Sequence, residues 1–202
     1  MILAMRWIQK ISEFVRSQPD VFRFLVFGFG GYIAWHLTYE EYLKPATLLD
    51  EYVTQHLIIS TEWVMESLGY LVNAYFQATD GLFRTRVGIA GAAGVIVGPS
   101  CDGVVLFALF AIFVASFPGR WLRKVWFIPL GIAVIHAANA FRIICLLWIQ
   151  LYFGEDAMTF NHDYTFTVFV YSIIFLLWYL YAAKGGEGKR LTRSMADNAP
   201  AP

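Results

Sequence analysis

Charge is scarce in this chain. Only 15% of its 202 residues are Asp, Glu, Lys or Arg, against 58% hydrophobic and 18% aromatic, too little polar material to cover a soluble domain of this size. A surplus of either sign is also missing, with 15 basic and 15 acidic residues. Nucleic acid is thereby excluded as a partner, because a phosphate backbone is bound by clustered, unbalanced Lys and Arg. The two cysteines, Cys101 and Cys145, are too few for a disulfide framework. One lies in a Gly/Pro loop and the other inside an apolar run, so they read as separate thiols. No cofactor and no metal is expected. The N-terminus carries no small-residue cleavage site after its first apolar stretch, which therefore reads as a retained anchor.

What is present is apolar sequence in membrane-sized blocks, and the expected fold class is all-α: a polytopic transmembrane helix bundle of at least four spans forming one embedded domain over residues 1–183. Residues 1–22 carry Arg6, Lys10 and Arg16 among apolar neighbours, the pattern of a cytoplasmic amphipathic helix lying on the bilayer. Spans are expected at 21–43, 103–117, 125–152 and 165–183. Trp35, Tyr39 and Tyr42 near the end of the first resemble an interfacial aromatic belt. Between Asp50 and Phe76, Glu62 and Glu66 sit one turn apart in an otherwise apolar stretch, which suits a partly embedded helix better than a span. The stretch GIAGAAGVIVGPS, from Gly88 to Ser100, reads either as buried irregular backbone beside a binding site or as close glycine-mediated helix packing. The tail 184–202 has no apolar face and is expected to be disordered.

Charge orients the bundle. Arg120, Arg123 and Lys124 follow the second span and Lys184, Lys189, Arg190 and Arg193 the fourth, whereas residues 154–164 are acidic. Four crossings with both termini in the cytoplasm satisfy the positive-inside rule. Arg84 and Arg86 fall on the wrong side, which leaves room for an extra pair of crossings between Leu43 and Cys101.

Five polar residues stand out on the outer side of this topology. Cys101, in Pro99-Ser100-Cys101-Asp102-Gly103, opens a helix whose positive dipole end favours the thiolate and whose N–H groups can cradle an oxyanion. By composition alone it reads rather as a small residue in a tight turn. Arg142 lies inside an apolar helix, where a charge costs at least about 2.5 kcal/mol and calls for a function or a partner. Asn139, three residues earlier, shares its face, and Glu62, Glu66 or Asp102 are possible carboxylate mates. His162, just before the fourth span, can exchange protons near neutral pH. Cys145 reads as packing, and a haem ligated by His36 and His136 is a remote alternative.

The order Cys101-x-Gly103 at the start of one span, Asn139-x-x-Arg142 in the next and His162 at the start of a third resembles the exosortase/archaeosortase family of membrane cysteine transpeptidases, over about residues 95–180. The resemblance implies an active site of Cys101, Arg142 and His162, supported by Asn139, on the outer face of the cytoplasmic membrane. It also implies membrane-tethered protein substrates bearing a C-terminal motif, transmembrane helix and basic cluster, cut through an acyl-enzyme. Asp102 departs from the Ser often found there and sets a carboxylate beside the nucleophile; the chain is also shorter than typical members. The competing expectation is a small transporter or channel in which Arg142 lines an anion path.

Overall fold

A computed structural model describes residues 16–46, 48–79, 82–98 and 101–184. The expected amphipathic helix at 1–22 for the most part, and the expected disordered tail apart from Lys184, lie outside the described residues. Helix α1 (Pro19–Thr38) runs on through a π-helical turn at Tyr39–Leu43 and a short helical stretch at Lys44–Ala46. Helix α2 (Leu48–Ser67) is followed by strands β1 (Val72–Thr79), β2 (Leu82–Ile89) and β3 (Val95–Val97). Helices α3 (Val104–Ser116) and α4 (Trp121–Phe153) come next, then the short α5 (Glu155–Phe160), a second π-helical turn at Asn161–Thr165, and α6 (Phe166–Lys184).

The helical membrane bundle is as expected. Three continuous helical segments, Pro19–Ala46, Trp121–Phe153 and Glu155–Lys184, are long and apolar enough to cross a membrane. Helix α3 is apolar but has only 13 residues, about 20 Å at 1.5 Å per residue, well short of a hydrocarbon core of about 30 Å. It stops at Phe117, whose extended backbone (φ −67°, ψ 138°) is what a residue before proline adopts. No described helix between Lys44 and Cys101 has the length and apolarity to cross, so the room left for an extra pair of crossings is filled otherwise. Helix α2 buries Thr54, Leu57, Ile58, Thr61 and Met65 on one face and leaves Glu66 exposed. Glu62, half-buried at its edge, is pushed above the usual carboxylate range first by burial and then by Glu66.

The glycine-rich stretch is buried in part, as one reading held, with Ala90, Gly91, Ala93 and Ile96 exposed, and its buried valines and isoleucine lie in regular strands. An antiparallel sheet in the order β1-β2-β3 occupies this region, with Thr85 opposite Val97, Arg86 opposite Ile96 and Val87 opposite Val95. Val87, Ile89, Val95 and Val97 alternate into a core shared with Leu57, Met65, Ile143, Leu146 and Leu147. The glycines let the connection close on itself: Gly94 has φ +84°, and a Cβ there would come within 2.7 Å of the Val87 carbonyl. Gln150 of α4 then accepts from the Gly94 N–H (2.8 Å) and donates to its carbonyl (3.3 Å). Backbone polar groups in an apolar bundle must find partners; pairing and Gln150 supply them here, which periodicity in a short, glycine-interrupted run does not reveal.

A second core joins Phe110, Val114, Ile135, Val170, Ile174 and Tyr181 from α3, α4 and α6. Gly131 lets the Phe110 ring lie directly on α4, where any Cβ would collide with it. At this end the basic residues cap helix C-termini. Lys124 donates to the Ala115 carbonyl (2.6 Å), and Arg123 donates to that of Tyr181 (2.7 Å) while stacking over its ring.

Candidate functional site

The opposite end of α3 holds the polar residues singled out above. Strand β3 ends at Val97, and the chain turns so that the Cys101 N–H (2.7 Å) and the Asp102 N–H (3.0 Å) both donate to the Gly98 carbonyl. The Val104 N–H donates to Asp102 Oδ1 (2.9 Å). The N–H groups of Cys101, Asp102 and Val104, three of those expected to form a cradle, are thus engaged within the turn. Gly103 makes the turn possible, since its backbone is left-handed (φ +92°) and a Cβ would run into Asn139 Nδ2. Asn139 uses that closeness to donate to the Asp102 carbonyl (3.3 Å), crossing between helices as its position beside Arg142 suggested.

Cys101, Arg142 and His162 come together. Cys101 Sγ lies 3.2 Å from His162 Nε2, and Arg142 Nη2 lies 3.0 Å from the same nitrogen. His162 Nδ1 lies 2.9 Å from Asp163 Oδ1. A carboxylate only accepts, so Nδ1 carries the ring proton and Nε2 presents its lone pair to the thiol and the guanidinium. His162, expected just before the fourth span, sits in the π-helical turn that carries α5 into α6. Wider turns of this kind recur where a helix must aim a side chain.

Arg142 has no carboxylate mate among the described residues, whose ion pairs are Lys44–Glu40 and His162–Asp163. The candidate pairings with Glu62, Glu66 and Asp102 are not made. Its Nε is buried and without a hydrogen-bond partner among the described residues, so the guanidinium keeps charge and a donor in reserve. Arg142 lies eleven residues before the end of α4 at Phe153, about 16 Å along the helix axis. The site is therefore recessed into the bundle rather than perched on its end.

Other expectations sort themselves. Cys145 packs against the first core. His136 meets His56 of α2 (3.1 Å), while His36 stacks on Tyr32, so the two histidines considered for haem have other ring partners. Tyr39 is no belt residue: it is 2% exposed, and its hydroxyl donates to Asp50 Oδ1 (2.7 Å). Asp50 itself is buried at the start of α2, near enough to push the Asp102 carboxyl up. Sequence reasoning overlooked Asp50, Asp163 and the inward turn of Tyr39. An Asp directly after a His was a visible signal; Asp50 offered none, standing at the margin of an ambiguous segment.

No curated protein and no solved structure matches the chain. The model of the transmembrane exosortase family matches residues 20–179, a stretch that contains the first core, the sheet and Cys101, Asn139, Arg142 and His162, and the chain belongs to that family.

Proposed function

We propose that this chain is a membrane cysteine peptidase or transpeptidase that cuts the C-terminal sorting signals of exported proteins at the outer face of the cytoplasmic membrane. The observation that carries the reading is the convergence of Cys101 Sγ and Arg142 Nη2 on His162 Nε2, at 3.2 and 3.0 Å. A nucleophile, a base within hydrogen-bond reach and a third group orienting that base are the parts acyl transfer needs.

The Cys101 thiol gives its proton to His162 Nε2 as sulfur attacks the scissile carbonyl. Arg142 holds the resulting oxyanion, a task suited to its charge and to an Nε with no partner among the described residues, while the N–H groups of Cys101, Asp102 and Val104 are already engaged. His162 returns the proton to the departing amide nitrogen, the amine leaves with the substrate's membrane helix, and a thioester remains on Cys101. An amine acceptor or water then attacks the thioester, with His162 taking the proton of the attacking group. Asp163 keeps the ring in the tautomer both steps require.

The charge map supports this orientation. The basic end of the bundle, with Arg123 and Lys124 at helix C-termini, faces the cytoplasm by the positive-inside rule, which puts the recessed site on the opposite side. A substrate tethered by its own helix brings its cleavage motif to that depth. An anion path through the glycine-rich stretch finds little support, since that stretch is packed into the core and tied to Gln150.

The test is to incubate the purified chain with peptides bearing a candidate sorting motif and look for a thioester on Cys101 by intact mass. Wild type is expected to trap one and Cys101→Ser a more stable ester or nothing. Normal processing of a co-expressed signal-bearing protein by Cys101→Ala would overturn the reading.

A further inference from the structure

Behind Cys101 two carboxyl groups meet out of water. Asp50 and Asp102 are 1% and 0% exposed. Each has one oxygen accounted for: Asp50 Oδ1 accepts from the Tyr39 hydroxyl and Asp102 Oδ1 from the Val104 N–H. The other oxygens, Asp50 Oδ2 and Asp102 Oδ2, are buried with no hydrogen-bond partner among the described residues, and Asp50 stands close enough to Asp102 to push its carboxyl up. Two carboxylates cannot bond without a hydrogen between them, and two full charges side by side in a buried site repel. One proton resolves both problems.

We propose that Asp50 and Asp102 share a single proton, and that this pair fastens the Cys101 turn to α2 and presents one negative charge instead of two to the nucleophile. The two are positioning residues. They act on Cys101 through the turn that carries it, and the pair draws in three elements: the π-helical turn through Tyr39, α2 through Asp50 and the start of α3 through Asp102. Burial is the first cause pushing Asp102 up, to about 8, with Asp50 and Cys101 adding to it and the Val104 N–H opposing. The titratable groups facing the pair are Tyr39 with Glu40 behind it, and Cys101, with His162 and Arg142 on the far side of the thiol. None of those in direct contact with the pair is a cation. Loss of the shared proton therefore adds an uncompensated charge beside Cys101, parts the two carboxylates and disfavours the thiolate.

The consequence is an alkaline limit on Cys101 reactivity, read without any substrate. The inference deepens the proposed function, but thiol alkylation tests it independently: if acyl transfer fails and the alkylation result stands, only the proposed function falls. In a Cys145→Ala background, the iodoacetamide rate of Cys101 is followed from pH 6 to 10. Wild type is expected to depart from a single thiol titration, its upper limb displaced to higher pH by about one unit. Asp50→Asn and Asp102→Asn keep the hydrogen bond through an amide and hold the pair at one charge throughout. Each is expected to match wild type near pH 7 and to follow one undisplaced curve above pH 8. Wild type alone giving a single-step curve, or all three curves superimposing, overturns the proposal. So does a stoichiometric metal ion in the purified chain that EDTA removes with the same effect on the curve, since a cation would then stand where the proton is placed.

Discussion

Gly103→Ala is the most demanding check on the turn that presents Cys101, because two separate costs meet at one methyl group. The backbone there is left-handed at φ +92°, which costs a residue with a Cβ about 1–2 kcal/mol. The new Cβ also runs into Asn139 Nδ2. Asn139 must swing away and give up its bond to the Asp102 carbonyl, worth about 1 kcal/mol. The sum, about 2–3 kcal/mol, corresponds to a loss of roughly 5–10 °C in melting temperature for a chain of this size. Catalysis should suffer more than stability, since a displacement of about 1 Å at the nucleophile costs about 100-fold. Melting in detergent and cleavage per folded molecule are measured for Gly103→Ala, Asn139→Ala and the double variant. Removing the Asn139 side chain relieves the collision and leaves the backbone cost, so the double variant is expected to be less damaged than the two singles added together. Strict additivity, or a wild-type rate in Gly103→Ala, refutes the account of this turn.

Arg142→Gln removes the charge left without a carboxylate mate and is expected to lower kcat about 100- to 1000-fold with little change in KM; Arg142→Lys keeps the charge without the planar fork and should fall between, as steady-state kinetics will show. Asp163→Asn lets the amide present either face to His162, and because Asp163 is 56% exposed the expected loss is only about tenfold, far below the roughly 10⁴-fold seen where the orienting carboxylate is buried. Because burial raises the Asp102 carboxyl from 3.8 to about 8, the folded chain holds a proton that the unfolded chain releases. Stability is therefore expected to fall as pH rises from about 4 to 8 and to level off above, and Asp102→Asn should flatten that slope in melting curves. Gln150→Leu leaves the buried N–H and carbonyl of Gly94 without their partners, and denaturation should show a loss of about 2–4 kcal/mol.

The membrane bundle and three of the site residues were legible because each is a conflict with its surroundings. Arg142 in an apolar helix, a thiol in a Gly/Pro loop and a histidine beside a span all stand out by composition. What the sequence hid depends on pairing across the chain. The sheet was invisible because strands of eight and three residues, broken by glycine, carry no periodicity that separates them from packed helix. Asp50 was invisible because a carboxylate at the start of a helix is ordinarily a solvated, dipole-favoured residue; only the arrival of Asp102, 52 positions later in the chain, buries it. Tyr39 was misplaced for a related reason. A tyrosine near the end of a span fits an interfacial belt, and the π-helical turn at Tyr39–Leu43 that accompanies its inward placement leaves no mark in the sequence.

One helix sets most of the distances at the site. Asn139, Arg142 and Gln150 all belong to α4, and each holds a different part of the chain: Asn139 the Cys101 turn, Arg142 the His162 ring and Gln150 the hairpin that delivers β3 to that turn. Asn139 and Arg142 are three residues apart and so share a face. Gln150 follows eleven residues after Asn139, close to three full turns, which keeps it on nearly the same side as Asn139 about 16 Å further along. Strand β3 and helix α3 are therefore both referenced to α4, and the turn between them has little freedom to move relative to Arg142. Such rigidity is costly to build in lipid, where backbone at an irregular turn must be satisfied by protein. It accounts for the shortness of α3: the residues that would have completed the span form the turn instead, and Cys101 sits at the depth where it and Arg142 both meet His162.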